Sequence, residues 1–401
     1  MIKISERLGR VEYAIRDIIL HAREYQKTGK KIIYLNIGDP VAFDFKTPVH
    51  IKNALIDALN HDNDYYTDSE GWLDLRQSIV EKESGKKGLD LAFDDVLVTN
   101  GVSEGLDMVM GSIIEEKDEV LLPGPYYPPY SSYAKFYGGN MVEFKILDDG
   151  TPDIDDIRKK ITGRSKAICL INPNNPTGEV FDKKSLKSIV DVASENNLYI
   201  ICDEIYDEIV FDNAFSFIGN VAKDAPVVLL NGFSKTYSMT GLRCGYICMN
   251  NSSRQLDSLR HNIFKLARVR IASNLPVQIA ANAALNGPQD HIVQMRQKLQ
   301  NRRDLVVKRL DEIDGVYCKK PKGAFYVFPK INLQNRWKSD MEFVIEMLNS
   351  TGVLTVHGSG FGINGSNHFR IVYLPQENVL EEAMDRIELF LKKNNKPCFV
   401  I

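Results

Sequence analysis

Five short apolar runs, VLVTN (96–100), EVLLP (119–123), AICLIN (167–172), LYIICD (198–203) and VVLLNG (227–232), recur along the middle of the chain. Longer amphipathic stretches such as KKSLKSIVDVASENN (183–197) separate some of them. Apolar runs without alternation describe strands covered on both faces, so the pattern predicts an α/β unit with a mostly parallel central sheet flanked by helices. Ligands of such sheets bind at the carboxyl ends of the strands. Polar groups stand at those ends here: Asn100, Pro125 to Tyr127, Asn172 to Gly178, Asp203 and the 231–235 segment. Five strand ends therefore point to one site.

After about residue 285 the pattern changes to long charged helices, QDHIVQMRQKLQNRRDLVVKRLDEI and ENVLEEAMDRIELFLKK, separated by short strands such as AFYVFP and HFRIVYL. This predicts a smaller α+β domain, with the amphipathic N-terminal segment packed on it. The expected division is 46–285 for the large domain, and 1–45 with 286–401 for the small one. With 401 residues, 44% of them hydrophobic, the chain can bury a substantial core. A net charge of -3 gives no field that favours nucleic acid or an anionic membrane, so the expected partner is a small molecule. Six scattered cysteines without a CxxC pair fit a reducing cytoplasm. No apolar run is long enough for a bilayer, the N-terminus lacks the core of a signal peptide, and seven histidines without ligand spacing predict no metal.

The segment NGFSKTYSMTGLRCGY (231–246) concentrates the chemistry. Lys235 follows an apolar strand end, where desolvation depresses an amine's pKa as a Schiff-base nucleophile requires. Arg243, eight residues on and across a turn with Gly241, offers a guanidinium to a phosphate. Lysine for an imine and arginine for a phosphate suggest pyridoxal phosphate, whose ring nitrogen needs a buried carboxylate to stay protonated. Asp203 stands where that role or a helix cap is equally open. Tyr206, expected one helical turn later, offers a hydroxyl to the cofactor or packs in the core. Asn175 in NPNNPTG (172–178) offers an amide to the 3-hydroxyl or belongs to a polar loop. TNGVSEGL (99–106) opens a helix whose first amides, at Val102, Ser103 and Glu104, can hold a phosphate. GPYYPPY (124–130) offers Tyr127 as an aromatic face or as loop packing.

In their order along the chain, NGVSEG, PYY, NPNNPTG, CDEIY, SKTYSMTGLR and HFRIVY resemble the class I/II aminotransferases, fold type I pyridoxal-phosphate enzymes, over nearly the whole length. Cys244, where an aliphatic residue or alanine is usual, is a departure without expected functional effect. The resemblance implies Lys235 as the residue that carries the cofactor and shuttles the proton, and Asp203 on the ring nitrogen. Asn175 and Tyr206 would meet the 3-hydroxyl, and Tyr127 would stack on the ring. Arg243, Ser234 and the 102–104 amides would hold the phosphate, while Gly232 replaces a phosphate-binding serine found in many relatives. Tyr66, in DYYTDSEG, is similar to the tyrosine that reaches a neighbouring subunit's phosphate, which implies a homodimer. Arg370 would grip the substrate α-carboxylate, helped by Gly38 and Asn175.

The stretch RVRIASNLPVQIA (268–280), with LNIGDPVAFDFKTP and GVSEGL, is most similar to the alanine aminotransferase branch, which implies exchange of L-alanine and 2-oxoglutarate for pyruvate and L-glutamate. Arg268 or Arg270 is then either a distal-carboxylate reader or a helix-surface arginine. An aspartate or aromatic aminotransferase of the same fold is the alternative, as is a carbon–sulfur lyase that would keep the same lysine. A non-catalytic effector module lacks support without a DNA-binding segment. A nicotinamide dehydrogenase fits worse, because GSGFG (358–362) has neither the strand nor the spacing of a dinucleotide site.

Overall fold

The computed structural model describes residues 5–11, 13–85, 87–212, 215–333 and 336–394, so Cys398 and the rest of the C-terminal tail lie outside the described residues. A seven-stranded sheet forms the centre: β1 (Val96–Thr99), β2 (Glu119–Gly124), β3 (Asn140–Lys145), β4 (Ser165–Ile171), β5 (Tyr199–Asp203), β6 (Val227–Gly232) and β7 (Gly245–Asn250). Their order across the sheet is β1-β7-β6-β5-β4-β2-β3. The five strands expected from sequence all run in one direction. Strand β7 lies antiparallel between β1 and β6, so β1 has no parallel neighbour. Both β3 and β7 escaped the sequence reading: β7 is hidden in the apolar end of the lysine-arginine segment, and β3 is an edge strand with four half-buried or exposed polar and apolar positions before Phe144.

Alternate residues of each central strand feed separate cores on the two faces. Val96, Leu121, Ile168, Ile200 and Val227 belong to one, and Leu97, Val120, Cys169, Ile201 and Val228 to the other. Continuous hydrophobicity along the runs is thus explained by cover on both sides. Helix α1 (Val102–Ile113) follows β1 directly, and helix α2 (Pro128–Phe136) follows β2. All five described cysteines are buried and free.

A third core gathers Ile15, Ile18, Ala22 and Leu35 from the N-terminal segment with Met295 to Leu391 from the C-terminal part, and with Ile205 to Phe211 beside the sheet. A long helix, α3 (Asp290–Asp311), passes between cores, since Ile292 packs on the sheet side and Met295, Leu299 and Val306 in the third core. The strand Phe369–Val372 lies between Tyr326–Val327 and Val356–His357, antiparallel to both. The expected N-terminal helix is broken: a 3₁₀ turn (Glu6–Arg10) and short helices Ala14–Asp17 and Ile19–Gln26 replace it, with Tyr13 at the break.

Candidate active site

A cavity of about 580 Å³ opens at the carboxyl ends of the central strands and is lined by Lys235, Asp203, Asn175, Tyr206, Ser234, Arg243 and Arg370 among others. Strands β5 and β6 deliver Asp203 and Lys235 side by side. A buried link fixes their turns: Asn231 Nδ2 donates to Asp207 Oδ2 at 2.9 Å, and Asn231 Oδ1 accepts from the Gly232 amide at 2.7 Å. Lys235 Nζ donates to the Gly38 carbonyl at 2.7 Å. Gly38 must lack a side chain, because a Cβ there would meet Tyr326 Oη at 2.4 Å and Phe325 Cε2 at 2.7 Å. Burial lowers the Lys235 pKa to about 8, with Arg370 and Arg243 adding to the effect and Asp39 opposing it.

Asp203 is buried, and desolvation pushes its pKa up to about 7 against the stabilising hydrogen bonds it accepts. Its Oδ1 accepts from the Ile205 amide at 3.0 Å and its Oδ2 from the Tyr130 hydroxyl at 3.0 Å. The carboxylate caps a turn, not the helix that the capping alternative required, and it also lines the cavity. Tyr206 sits in that turn rather than on the expected helix, and its hydroxyl is 2.7 Å from that of Tyr326.

Beside the lysine, Gly101 (φ 88, ψ 164) precedes helix α1. A Cβ on Gly101 would lie 2.4 Å from Arg243 Nη2, so the guanidinium rests against the helix N-terminus only because residue 101 is glycine. The first amides of a helix have no acceptor inside it, and those of Val102 and Ser103 form with Arg243 a cradle for a dianion. Elsewhere in the lining, Arg370 is buried and donates Nη1 to Asn175 Oδ1 at 2.9 Å and Nη2 to the Asn36 carbonyl. Its Nε has no acceptor among the described residues, and its charge rests over the rings of Tyr326 and Phe361. Desolvation lowers its pKa. A buried, half-satisfied guanidinium is matched by a carboxylate brought in by a ligand.

These groups fit pyridoxal phosphate: an amine of lowered pKa, a buried carboxylate with no salt-bridge partner among the described residues, and an anion cradle on the same cavity. Val102, Ser103, Tyr127 and Gly38 also line the cavity. Two expected residues do not. The Glu104 amide donates to the Gly101 carbonyl at 3.1 Å, and its carboxylate is taken by Asn100 and Arg270. Tyr66 lies outside the cavity, 80% exposed. Arg268 and Arg270 are absent from the lining too: Arg270 bonds Glu104, Ser273 and the Ser69 carbonyl, and Arg268 approaches Glu70. Instead Arg16 and Tyr13, from the break in the N-terminal segment, reach the cavity, and Tyr13 Oη lies 2.8 Å from Tyr127 Oη. Sequence reasoning missed Tyr13, Arg16, Tyr130 and Tyr326. Only Tyr130, three residues after Tyr127 in a run already singled out, had a local signal.

The model of the aminotransferase class I and II family matches residues 30–387. Glutamate-pyruvate aminotransferase AlaA of Haemophilus influenzae is 38% identical over 96% of this chain and 97% of that protein. The solved alanine aminotransferase of Pyrococcus furiosus superposes with a TM-score of 0.95 at 50% identity, covering 98% of this chain and all of that one. The aspartate aminotransferase of Thermotoga maritima gives 0.88 at 30% identity, over 97% and 100%.

Proposed function

The chain belongs to the class I and II aminotransferases, whose cofactor is pyridoxal 5′-phosphate, and from that premise we propose that it moves an amino group between L-alanine and 2-oxoglutarate, giving pyruvate and L-glutamate. The observation that carries this reading is one cavity shared by Lys235, Asp203 and Arg370, together with relatives named for alanine, glutamate and pyruvate. When bound, the cofactor supplies a carbonyl that receives the amino group and a ring that takes up the electron pair left at Cα.

The chain's own residues then divide the work. Arg370, with Asn175 beside it, binds the substrate α-carboxylate and aims Cα at Lys235 Nζ. Lys235, half neutral near pH 8, is the base that takes the Cα proton. Asp203, itself held by the Tyr130 hydroxyl and the Ile205 amide, would keep the proton on the cofactor's pyridine nitrogen. Tyr206 and Asn175 would meet the cofactor's 3-hydroxyl, Tyr127 would pack on its ring, and Arg243, Ser234 and the Val102 and Ser103 amides would hold its phosphate. Arg16 is the third arginine of the lining; it reads the distal carboxylate of glutamate, which alanine lacks.

The reading includes a large domain over 46–285, a small one from both termini, a cytoplasmic location and a homodimer. The dimer is supported by exposed Tyr65, Tyr66, Val269 and Ile271, on two segments joined by the hydrogen bond from Arg270 to the Ser69 carbonyl. Buried in a partner's interface, Tyr66 comes within reach of the second cradle. The deciding experiment is a half-reaction titration: the purified protein is mixed with single amino acids while its visible absorbance is followed. Conversion by L-alanine and L-glutamate, reversed by pyruvate and 2-oxoglutarate, is expected, and Arg16→Ala should weaken L-glutamate selectively. Preference for aspartate or an aromatic amino acid, or steady release of ammonia and pyruvate from cysteine conjugates, would replace the proposed reaction.

A further inference from the structure

Glu143 stands on the edge strand β3, outside the cavity lining, yet its carboxylate is bound by residues 220 and 221 positions away in the chain. Oε2 accepts from the Ile363 amide at 2.8 Å and Oε1 from the Asn364 amide at 2.7 Å. The fit is close: a Cβ on Gly124 would lie 2.0 Å from Glu143 Oε1, and one on Gly362 would lie 2.6 Å from Oε2. Burial pushes the carboxyl pKa up while the two amides oppose it.

The turn that Glu143 holds, residues 358–365, is tied at its other end by Asp340, which accepts from the Ser359 amide and hydroxyl, both at 2.7 Å. Between the two anchors lies Phe361, fully buried, with its ring 5.0 Å from the Arg370 guanidinium. The Phe361 carbonyl accepts from the Tyr126 amide at 2.9 Å, next to the cavity-lining Tyr127. Two carboxylates thus anchor the two ends of one turn, and that turn carries the ring packed against Arg370.

We propose that Glu143 is a positioning residue for substrate binding: by holding the Ile363 and Asn364 amides it sets Phe361 against Arg370 and thereby the guanidinium that receives the α-carboxylate. It touches neither substrate nor cofactor. This rests on the reading of Arg370 as the carboxylate site.

The test uses the cofactor-loaded protein with Glu143→Gln and Glu143→Ala, and Arg370→Ala as the reference. Glutamine keeps the volume between Gly124 and Gly362 but turns one acceptor into a donor facing an N–H. Half-reactions with L-alanine and L-glutamate give a half-saturating concentration and a limiting rate, and hydrogen exchange reports on the peptide around 358–366. Glu143→Gln should raise the half-saturating concentration of both amino acids about tenfold, the loss of one charge-assisted hydrogen bond. The limiting rate should change less than about threefold, as expected when only ground-state and transition-state binding fall together. Exchange should quicken at 363 and 364 and not around Lys235, and Glu143→Ala should go further in the same direction. If exchange quickens while half-saturation stays within about twofold of the parent, or if only the limiting rate falls, the inference is overturned. Should Arg370→Ala leave half-saturation unchanged, the carboxylate assignment fails and takes the inference with it. A rise for Arg370→Ala without one for either Glu143 variant overturns the positioning role alone.

Discussion

Replacing Gly101 with alanine separates strain from ligand binding. At φ 88 and ψ 164 the backbone lies in a region essentially confined to glycine, so a side chain there costs about 1–3 kcal/mol of stability. That strain is present with or without cofactor and leaves affinity untouched. The new Cβ would also stand 2.4 Å from Arg243 Nη2. An arginine tip is flexible and gives way, but only by leaving the N-terminus of α1. A phosphate then loses one charge-assisted contact, about 1.5–3 kcal/mol, or roughly a ten- to hundredfold rise in Kd. Titrating the cofactor-free protein with pyridoxal phosphate by absorbance measures the affinity, and a thermal melt measures the strain. Combining Gly101→Ala with Arg243→Gln should show almost no further loss of affinity, because the group that the Cβ displaces is already gone. An unchanged Kd in folded Gly101→Ala, or a full second loss in the double variant, would refute the cradle as described.

Capture of the cofactor by the cofactor-free protein needs the neutral amine of Lys235. Because its pKa is lowered to about 8, the capture rate should climb through pH 8 and level off by about pH 9.5, whereas an ordinary lysine would keep climbing to about pH 10.4 and beyond; stopped-flow absorbance distinguishes them. Tyr130→Phe removes a hydrogen bond that lowers the Asp203 pKa, so in the cofactor-free protein the ionisation near 7 should move upward; an infrared titration of the carboxyl band measures it, and an unmoved ionisation would rule out control of Asp203 by Tyr130. Arg370→Ala leaves a bound carboxylate without its partner and should weaken half-saturation by L-alanine by about 2–5 kcal/mol, while the cofactor titration remains near that of the parent.

The large sheet and the principal chemistry were legible because they rest on short-range signals. Runs such as VVLLNG end where Lys235 and Asp203 begin, and a strand end is both a hydrophobic boundary and the place where a polar group meets the cavity. Strand β7 was not legible, since antiparallel insertion between β1 and β6 depends on how a returning chain pairs. The N-terminal break was hidden as well: helical spacing persists across Tyr13 although the helix does not. Glu104 illustrates the converse. Its place in the helix start was correct, but its amide is satisfied by the Gly101 carbonyl and its side chain by Asn100 and Arg270.

What the amino-acid sequence alone determined was local: which segments must be buried as strands, where glycine frees the backbone, and which amine, carboxylate and guanidinium follow strand ends. Tertiary structure decided the partnerships. Tyr130 reaches Asp203 across 73 positions, Arg370 reaches Asn175 across 195, and Glu143 reaches Asn364 across 221. Burial, which moves the ionisation of Asp203 and Lys235, is a property of everything packed around them. A hydrogen bond or a desolvated charge is set by position in space, and once chain separation is that long, periodicity and local propensity carry no record of it.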